Sequence, residues 1–254
     1  MQEFLSLPMF PDVIIEEGAL FIADAHECEE RSFFLNFLHH VKQNPPPQLF
    51  LMGDMFDLLV GGIAHGVQKY QRYIELINEI SHTCEIFYFE GNHDFHLREL
   101  FLHVNVIPIE AQPLTCKLPS GKICLLSHGD KYGGVVHTFY TKLIRNENIL
   151  RFLGFWDKVL KGAISKKIEN NQKSKNLCKK ILHFEQIIET KLEAYPLENI
   201  DMVAEGHYHQ NQVFTCKQVE YINFSSFACN QSYFSVQSSH EREFAQMQLR
   251  GCNG

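Results

Sequence analysis

Apolar residues recur along this chain in two rhythms. Short, nearly continuous apolar runs stand at residues 19–23 (ALFIA), 49–52 (LFLM), 85–89 (EIFYF) and 201–205 (DMVAE). Their length and density predict strands buried on both faces. Between them the spacing turns helical. Phe33, Phe34, Phe37, Leu38 and Val41 predict a helix over 29–42, stopped by the three prolines 45–47. A second amphipathic helix is predicted over 67–80, behind the Gly61-Gly62 break. The stretches flanking Pro119-Ser120-Gly121 read as a hairpin, and 213–236 alternates as further hairpins. Strand, polar loop and helix in repeating order predict an α/β fold whose loops gather on one sheet edge.

From residue 135 to about 191 that alternation stops. Phe139, Tyr140, Leu143, Ile144, Leu150, Leu153, Trp156, Val159 and Leu160 form an apolar stripe, and another helix is predicted over about 177–191. The reading is one domain, residues 1–254, with a helical insert at about 131–195. Charge sharpens it. The chain carries −7 overall, but between residues 131 and 180 twelve lysines and arginines face three acids, about +9, which leaves about −16 elsewhere. This asymmetry points to a local anionic partner and away from nucleic-acid binding by the whole domain. An apolar, basic insert suits a cap over an acyl chain and a phosphate, or one resting on an anionic membrane surface. Packing among helices is the other account of the stripe, and a solvated face the other account of the charge.

Hydrophobic residues make up 45% of the 254 positions and charged ones 21%, as in ordinary globular proteins. No apolar run reaches the roughly 20 residues needed to span a bilayer. The start, MQEFLSLPMF, lacks the basic stretch and apolar core of an export signal. Eight cysteines without a CxxC pair then predict reduced, partly buried thiols in the cytoplasm.

The predicted strands end in distinctive loops: Asp24-Ala25-His26, Gly53-Asp54-Met55-Phe56-Asp57, Gly91-Asn92-His93-Asp94, Ser127-His128-Gly129-Asp130 and Gly206-His207-Tyr208-His209. Each alone is an unremarkable turn. Five in order, each closing a strand, bring Asp24, His26, Asp54, Asn92, His93, His128, His207 and His209 to one edge. Oxygen and imidazole donors without thiolate suit Mn²⁺, Fe, Zn²⁺ or a mixed pair, with Mg²⁺ also possible.

D-x-H, G-D-x-x-D, G-N-H-D, S-H-G-D and G-H-x-H, spread over residues 24–209, resemble the calcineurin-like metallophosphoesterases. The resemblance implies a four-layer αββα sandwich with the helical insert as a cap, and two divalent metal ions, Mn²⁺ first among them. It places Asp24, His26, Asp54 and His209 on one ion, and Asp54, Asn92, His128 and His207 on the other. His93, paired with Asp57, would face the phosphate as a catalytic residue. Paired cations lower the pKa of water and draw on phosphoryl oxygens.

The insert is also similar to that of the UDP-2,3-diacylglucosamine diphosphatases of lipid A synthesis. Tyr140, Arg145-Asn146 and Leu150/Leu153 look like the first cap helix there, and Asn171, Asn176 and Lys179 keep the spacing of substrate-binding positions. Asn92, His93 and His207 would complete that set. The best-known branch has Arg at the place of His93 and Trp with Gly-Asp-Asp at the place of residues 58–62, so a divergent branch is implied. The expected partner is a lipid-linked nucleotide sugar, on the cytoplasmic face of the inner membrane. The alternatives are a soluble nucleotide phosphodiesterase or phosphoprotein phosphatase, whose cap would leave no lipid-sized groove, and a non-catalytic interaction module.

Overall fold

In the computed structural model, residues 13–132, 144–173, 176–238 and 242–249 are described. The stripe residues Phe139, Tyr140 and Leu143, the start of the chain and its last residues, 250–254, lie outside them.

The chain opens with β1 (Val13–Ile14) and β2 (Leu20–Ile22) and continues with α1 (Phe33–Gln43), β3 (Gln48–Leu51), β4 (Leu59–Val60), α2 (Ala64–Lys69) and α3 (Gln71–Ile80). There follow β5 (Glu85–Phe89), β6 (Asp94–Phe95), β7 (Asn105–Ile107), β8 (Leu114–Lys117) and β9 (Ile123–Ser127). The insert supplies α4 (Glu147–Val159), α5 (Ala163–Lys173) and α6 (Phe184–Lys191). The chain then returns through β10 (Met202–Glu205), β11 (Gln212–Cys216), β12 (Val219–Asn223), α7 (Phe227–Asn230), β13 (Ser232–Val236) and β14 (Phe244–Gln248).

Two six-stranded sheets run in the orders β1-β8-β9-β10-β12-β11 and β14-β13-β2-β3-β5-β7. Their facing sides share one core that includes Phe21, Phe50, Phe87, Phe89, Leu126, Ala204 and Phe224. α1 and α3 cover the outer side of the second sheet through Phe34, Phe37, Leu38, Ile74 and Ile77. α6 covers the first through Phe184 and Ile188 against Leu125, Val203 and Tyr221. These are the four layers. Parallel pairing of β2, β3 and β5 puts Phe21, Phe50 and Phe87 in register. Their rings stack at 4.2 and 4.7 Å. β9 and β10 are also parallel, pairing Ser127 with Glu205. All five strands therefore end at one rim, the usual place for a site in parallel sheets.

Three differences from the periodicity have local causes. α1 begins at Phe33, not 29, because Cys28 and Arg31 exchange backbone hydrogen bonds of 3.2 and 3.1 Å in a tight loop. The helix expected over 67–80 starts at Ala64 and divides at Tyr70, whose buried hydroxyl donates to the Glu27 carbonyl at 2.8 Å. The helix expected from 177 begins only at Phe184. Residues 177–181 turn their peptide groups to the loop at 207–210 instead: the Ile181 amide donates to Gln210 Oε1 at 2.9 Å and the Lys179 carbonyl accepts from Gln210 Nε2 at 3.1 Å.

The cysteine expectation is corrected at one pair. Cys178 and Cys229 form a disulfide across 51 positions, where the segment returning from the cap meets α7. Sequence spacing carried no sign of it, because only the packing of that segment brings the two together. Cys28, Cys84, Cys116 and Cys124 are buried thiols outside the disulfide, as expected, and Cys216 is a half-buried one.

Under the rim lies a buried ion pair. Lys191 Nζ donates to Glu205 Oε2 at 2.7 Å and to the Gly129 carbonyl at 2.6 Å. Glu205 also accepts from Ser127 Oγ, Tyr195 and Tyr221. Burial opposes both charges, yet the pair holds Glu205 below the usual carboxylate range and Lys191 above the usual amine. Lys191→Met leaves Glu205 buried without its cation. The expected loss is about 3–5 kcal/mol in a urea unfolding series, and a loss below about 1 kcal/mol would show that the pair is not needed.

Candidate metal centre

Three of the five motif loops are forced into an uncommon backbone shape. Asp24, His26, Asp54, His207 and His209 all have positive φ, between 43° and 64°. For residues other than glycine such conformations cost about 1–3 kcal/mol each, so neighbouring contacts must hold them. The loops hold one another: the Asp24 amide donates to the Gly53 carbonyl at 3.2 Å and the His26 amide to the Asp54 carbonyl at 3.0 Å. The His207 amide donates to both carboxylate oxygens of Asp24 at 3.0 Å. The glycines before the ligands leave room for this. A Cβ on Gly91 would stand 2.2 Å from Asp54 Oδ1, and one on Gly53 2.5 Å from His128 Nδ1.

The side chains converge in three overlapping groups: Asp24, His26 and His209; His26, Asp54 and His93; and Asp54, His128 and His207, each with donor atoms within 4.8 Å of one another. Asp54 belongs to two of them. Its Oδ1 accepts from the His93 amide at 2.9 Å, while Oδ2 lies 3.4 Å from His128 Nε2 and 4.0 Å from His93 Nε2. His26 Nε2 and His209 Nε2 meet at 3.4 Å, and His209 Nε2 lies 3.3 Å from Asp24 Oδ1.

The donor set fits divalent metal. His128 Nε2 and Asn92 Oδ1 are buried without a hydrogen-bond partner, which a protein rarely tolerates unless a ligand completes them. The opposite ring nitrogens are already fixed. His128 Nδ1 donates to the Met52 carbonyl at 2.9 Å and His209 Nδ1 to the Leu177 carbonyl at 2.7 Å. Nε2 is therefore the nitrogen of each ring left to face the centre, the outer support usual for metal-binding histidine. Burial works against charge throughout, but nearby Asp54 raises His128 well above the ordinary histidine value, and Asp24 raises His209. Asp54 itself is held well below the carboxylate range by His128 and His93. Burial lowers the pKa values of His26 and His207.

One expected pairing is different. The carboxylate of Asp57 does not meet His93. It is bound by Arg31, at 2.8 and 2.6 Å, and lies 3.4 Å from His26 Nδ1. His93 Nδ1 instead donates to the main-chain carbonyl of Asp57 at 2.8 Å. Arg31 drew the acid away, and it lies outside every motif. The expected carboxylate partner of His93 is thus replaced by a main-chain carbonyl acceptor, which leaves Nε2 of His93 facing Asp54.

Asn171, Asn176 and Lys179 are exposed, and none lines the cavity beside His93. Asn176 Oδ1 accepts from the Cys178 amide at 3.1 Å. Arg145 turns inward, donating to Glu90 at 2.9 Å and to the Gly91 carbonyl at 2.6 Å, and so braces the loop carrying Asn92. Asp94, the last letter of its motif, ties two loops by accepting from the amides of Asp54, Met55 and Gly91. Burial and the Asp54 charge push its pKa up to about 7. Its place in the motif was the only signal of that role.

With two buried carboxylates, one of them shared, and five imidazoles converging at the rim, the chain belongs to the calcineurin-like phosphoesterase family, whose model matches residues 19–211. That family implies divalent metals, and these groups are where they would bind. Among similar proteins, a UDP-2,3-diacylglucosamine hydrolase of Tolumonas auensis is 30% identical over 116 residues, covering 44% of this chain and 46% of that one. The match thus spans about half the length of that relative. A protein of the same name from Blochmanniella pennsylvanica is 24% identical over 201 residues, covering 75% and 78%. An archaeal phosphodiesterase of known structure superposes with a TM-score of 0.46 at 11% identity, covering 91% of this chain and 99% of that one.

Asp54→Asn removes the charge common to two groups. Elemental analysis after gel filtration is expected to show both ions lost, and retention of either at wild-type level would remove Asp54 from a shared position. In the unsubstituted protein, metal content should fall as the pH is lowered, beginning above the ordinary histidine range, because His128 and His209 then take protons in place of metal.

Proposed function

We propose that this chain is a dinuclear metal hydrolase that cleaves the pyrophosphate of UDP-2,3-diacylglucosamine to UMP and 2,3-diacylglucosamine 1-phosphate. The observation that carries this reading is a cavity of about 270 Å³ opening beside Asn92 and His93. It runs between the core and the cap, lined by Leu58, Val60, Ile63, Ile144, Leu150 and Leu153 among others. A cap that only packed on the core would leave no such space. The names of the relatives agree with it.

The stripe of the insert divides in two. Ile144, Leu150 and Leu153 line the cavity. Phe152, Phe155, Trp156, Val159 and Leu160 are exposed on and just beyond α4, beside exposed Lys158, Lys161, Lys166 and Lys167. An apolar face rimmed by lysine suits the surface of an anionic membrane, where such a lipid would reside. No helix among the described residues is long and apolar enough to cross a membrane.

Bound divalent ions, with Mn²⁺ the first candidate for these oxygen and imidazole donors, would supply a water of lowered pKa and a Lewis acid for the phosphoryl group. The chain's own part is positional. Asp24, His26, Asp54, Asn92, His128, His207 and His209 fix that charge at the rim. His93, anchored through Nδ1, presents Nε2 towards the same space and is placed to bond a phosphoryl oxygen or the departing group. The apolar cavity holds an acyl chain and excludes water from the reacting end.

Detergent-dispersed UDP-2,3-diacylglucosamine, with UMP release as the readout, is the direct test. Turnover of soluble nucleotides alone would favour a soluble phosphodiesterase instead. Leu153→Trp fills the cavity. Excluding two methylenes costs about 1.6 kcal/mol, so lipid turnover should fall about fifteenfold, while a small chromogenic diester is cleaved at a nearly unchanged rate. Equal losses would assign the cavity to packing. Phe155→Glu with Trp156→Glu is expected to abolish co-sedimentation with phosphatidylglycerol vesicles, and undiminished binding would remove this face from the membrane.

A further inference from the structure

Arg31 decides where a buried carboxylate points. Its Nη2 donates to both oxygens of Asp57, at 2.8 and 2.6 Å, and its Nε donates to the main-chain carbonyl of His26 at 3.1 Å. The local backbone arranges this. The paired amides of Cys28 and Arg31 close the loop, and the Asp57 amide donates to the Glu27 carbonyl at 3.3 Å, joining the two motif loops edge to edge. Asp57 is almost fully buried, whereas the Arg31 side chain is 20% exposed. Held from that side, Asp57 keeps Oδ1 3.4 Å from His26 Nδ1, and His26 Nε2 faces His209 and Asp24.

We infer that Arg31 is a positioning residue for the metal centre: it fixes the Asp57 carboxylate behind His26, so that Nε2 of His26 faces the ion shared with Asp24 and His209. Asp57 is thereby assigned to metal retention and not to the leaving group, since His93 rests on the peptide carbonyl of Asp57 and not on its acid. The inference builds on the dinuclear reading above. A carboxylate behind a ligand imidazole orients the ring and raises its basicity, and loss of such support typically costs about 10–100-fold in metal affinity. Without Arg31, Asp57 loses two charge-assisted hydrogen bonds and is free to turn from His26.

The test uses the full chain loaded with Mn²⁺ and equilibrated against graded chelator, with metal per chain measured by elemental analysis. The unsubstituted protein is expected to release two ions in two steps, and His209→Gln marks the step that belongs to His26. Arg31→Gln should weaken that step by about 10–100-fold and leave the other in place. Arg31→Lys, which keeps the cation but not the fork, should fall between. Asp57→Asn should match Arg31→Gln, and the double variant should be no weaker than the worse single one, because both remove one interaction. Circular dichroism and the urea midpoint verify that each variant is folded. Should Arg31→Gln itself not fold, Arg31→Lys and Asp57→Asn carry the same comparison. Unchanged retention, equal loss of both ions, or additive effects in the double variant overturns the inference. An unsubstituted chain that binds no metal overturns the dinuclear reading as well, and is seen before any variant is made.

Discussion

Burying charge without water is the constraint on which this molecule depends. Asp24 and Asp54 are almost wholly inaccessible, and His26 and His128 beside them equally so. Isolated, such carboxylates would cost several kcal/mol each. They are tolerated because every remaining lone pair is directed: Asp24 takes the amide of His207, Asp54 takes the amide of His93, and the unused oxygens face imidazole nitrogens. What is left open is a set of acceptors converging on common points, which is a metal site in chemical terms. The positive φ values at five ligands follow from the same need, since only a turned backbone aims these short side chains inward.

A second ring of contacts keeps that arrangement rigid. Arg145 grips the Gly91 carbonyl, Asp94 gathers three amides, and Lys191 with Glu205 supports the Ser127 and Gly206 strand ends from below. The cap is tied into this ring and not simply laid over it. Lys173 meets Glu30 at 2.8 Å, Lys69 meets Glu169 at 3.0 Å, and the Leu177 carbonyl orients His209. The segment that closes the cap thus also orients an imidazole of the candidate metal centre.

Much of this is legible in the sequence. Buried strands announce themselves as dense apolar runs, and a ligand directly after each one must fall at a strand's carboxyl end. The helices over 33–43 and 71–80 followed from their apolar spacing. What periodicity misjudged was the first turns of helices: at 29–32 the backbone bonds close a tight local loop between Cys28 and Arg31, and at 177–183 the peptide groups turn to the loop at 207–210. The same applies to the Cys178–Cys229 disulfide and to Asp57, whose partner is a residue in no motif.

The order of residues alone therefore determined the α/β class and the rim on which the aspartate, asparagine and histidine side chains of the motifs gather, because strand polarity is a local property. Only the tertiary structure decided which acid supports which imidazole, which half of the cap's apolar stripe faces inward, and which cysteines meet. Those depend on distances between segments 26 to 183 positions apart, and hydrogen bonds and close packing act over a few ångströms, irrespective of separation along the chain.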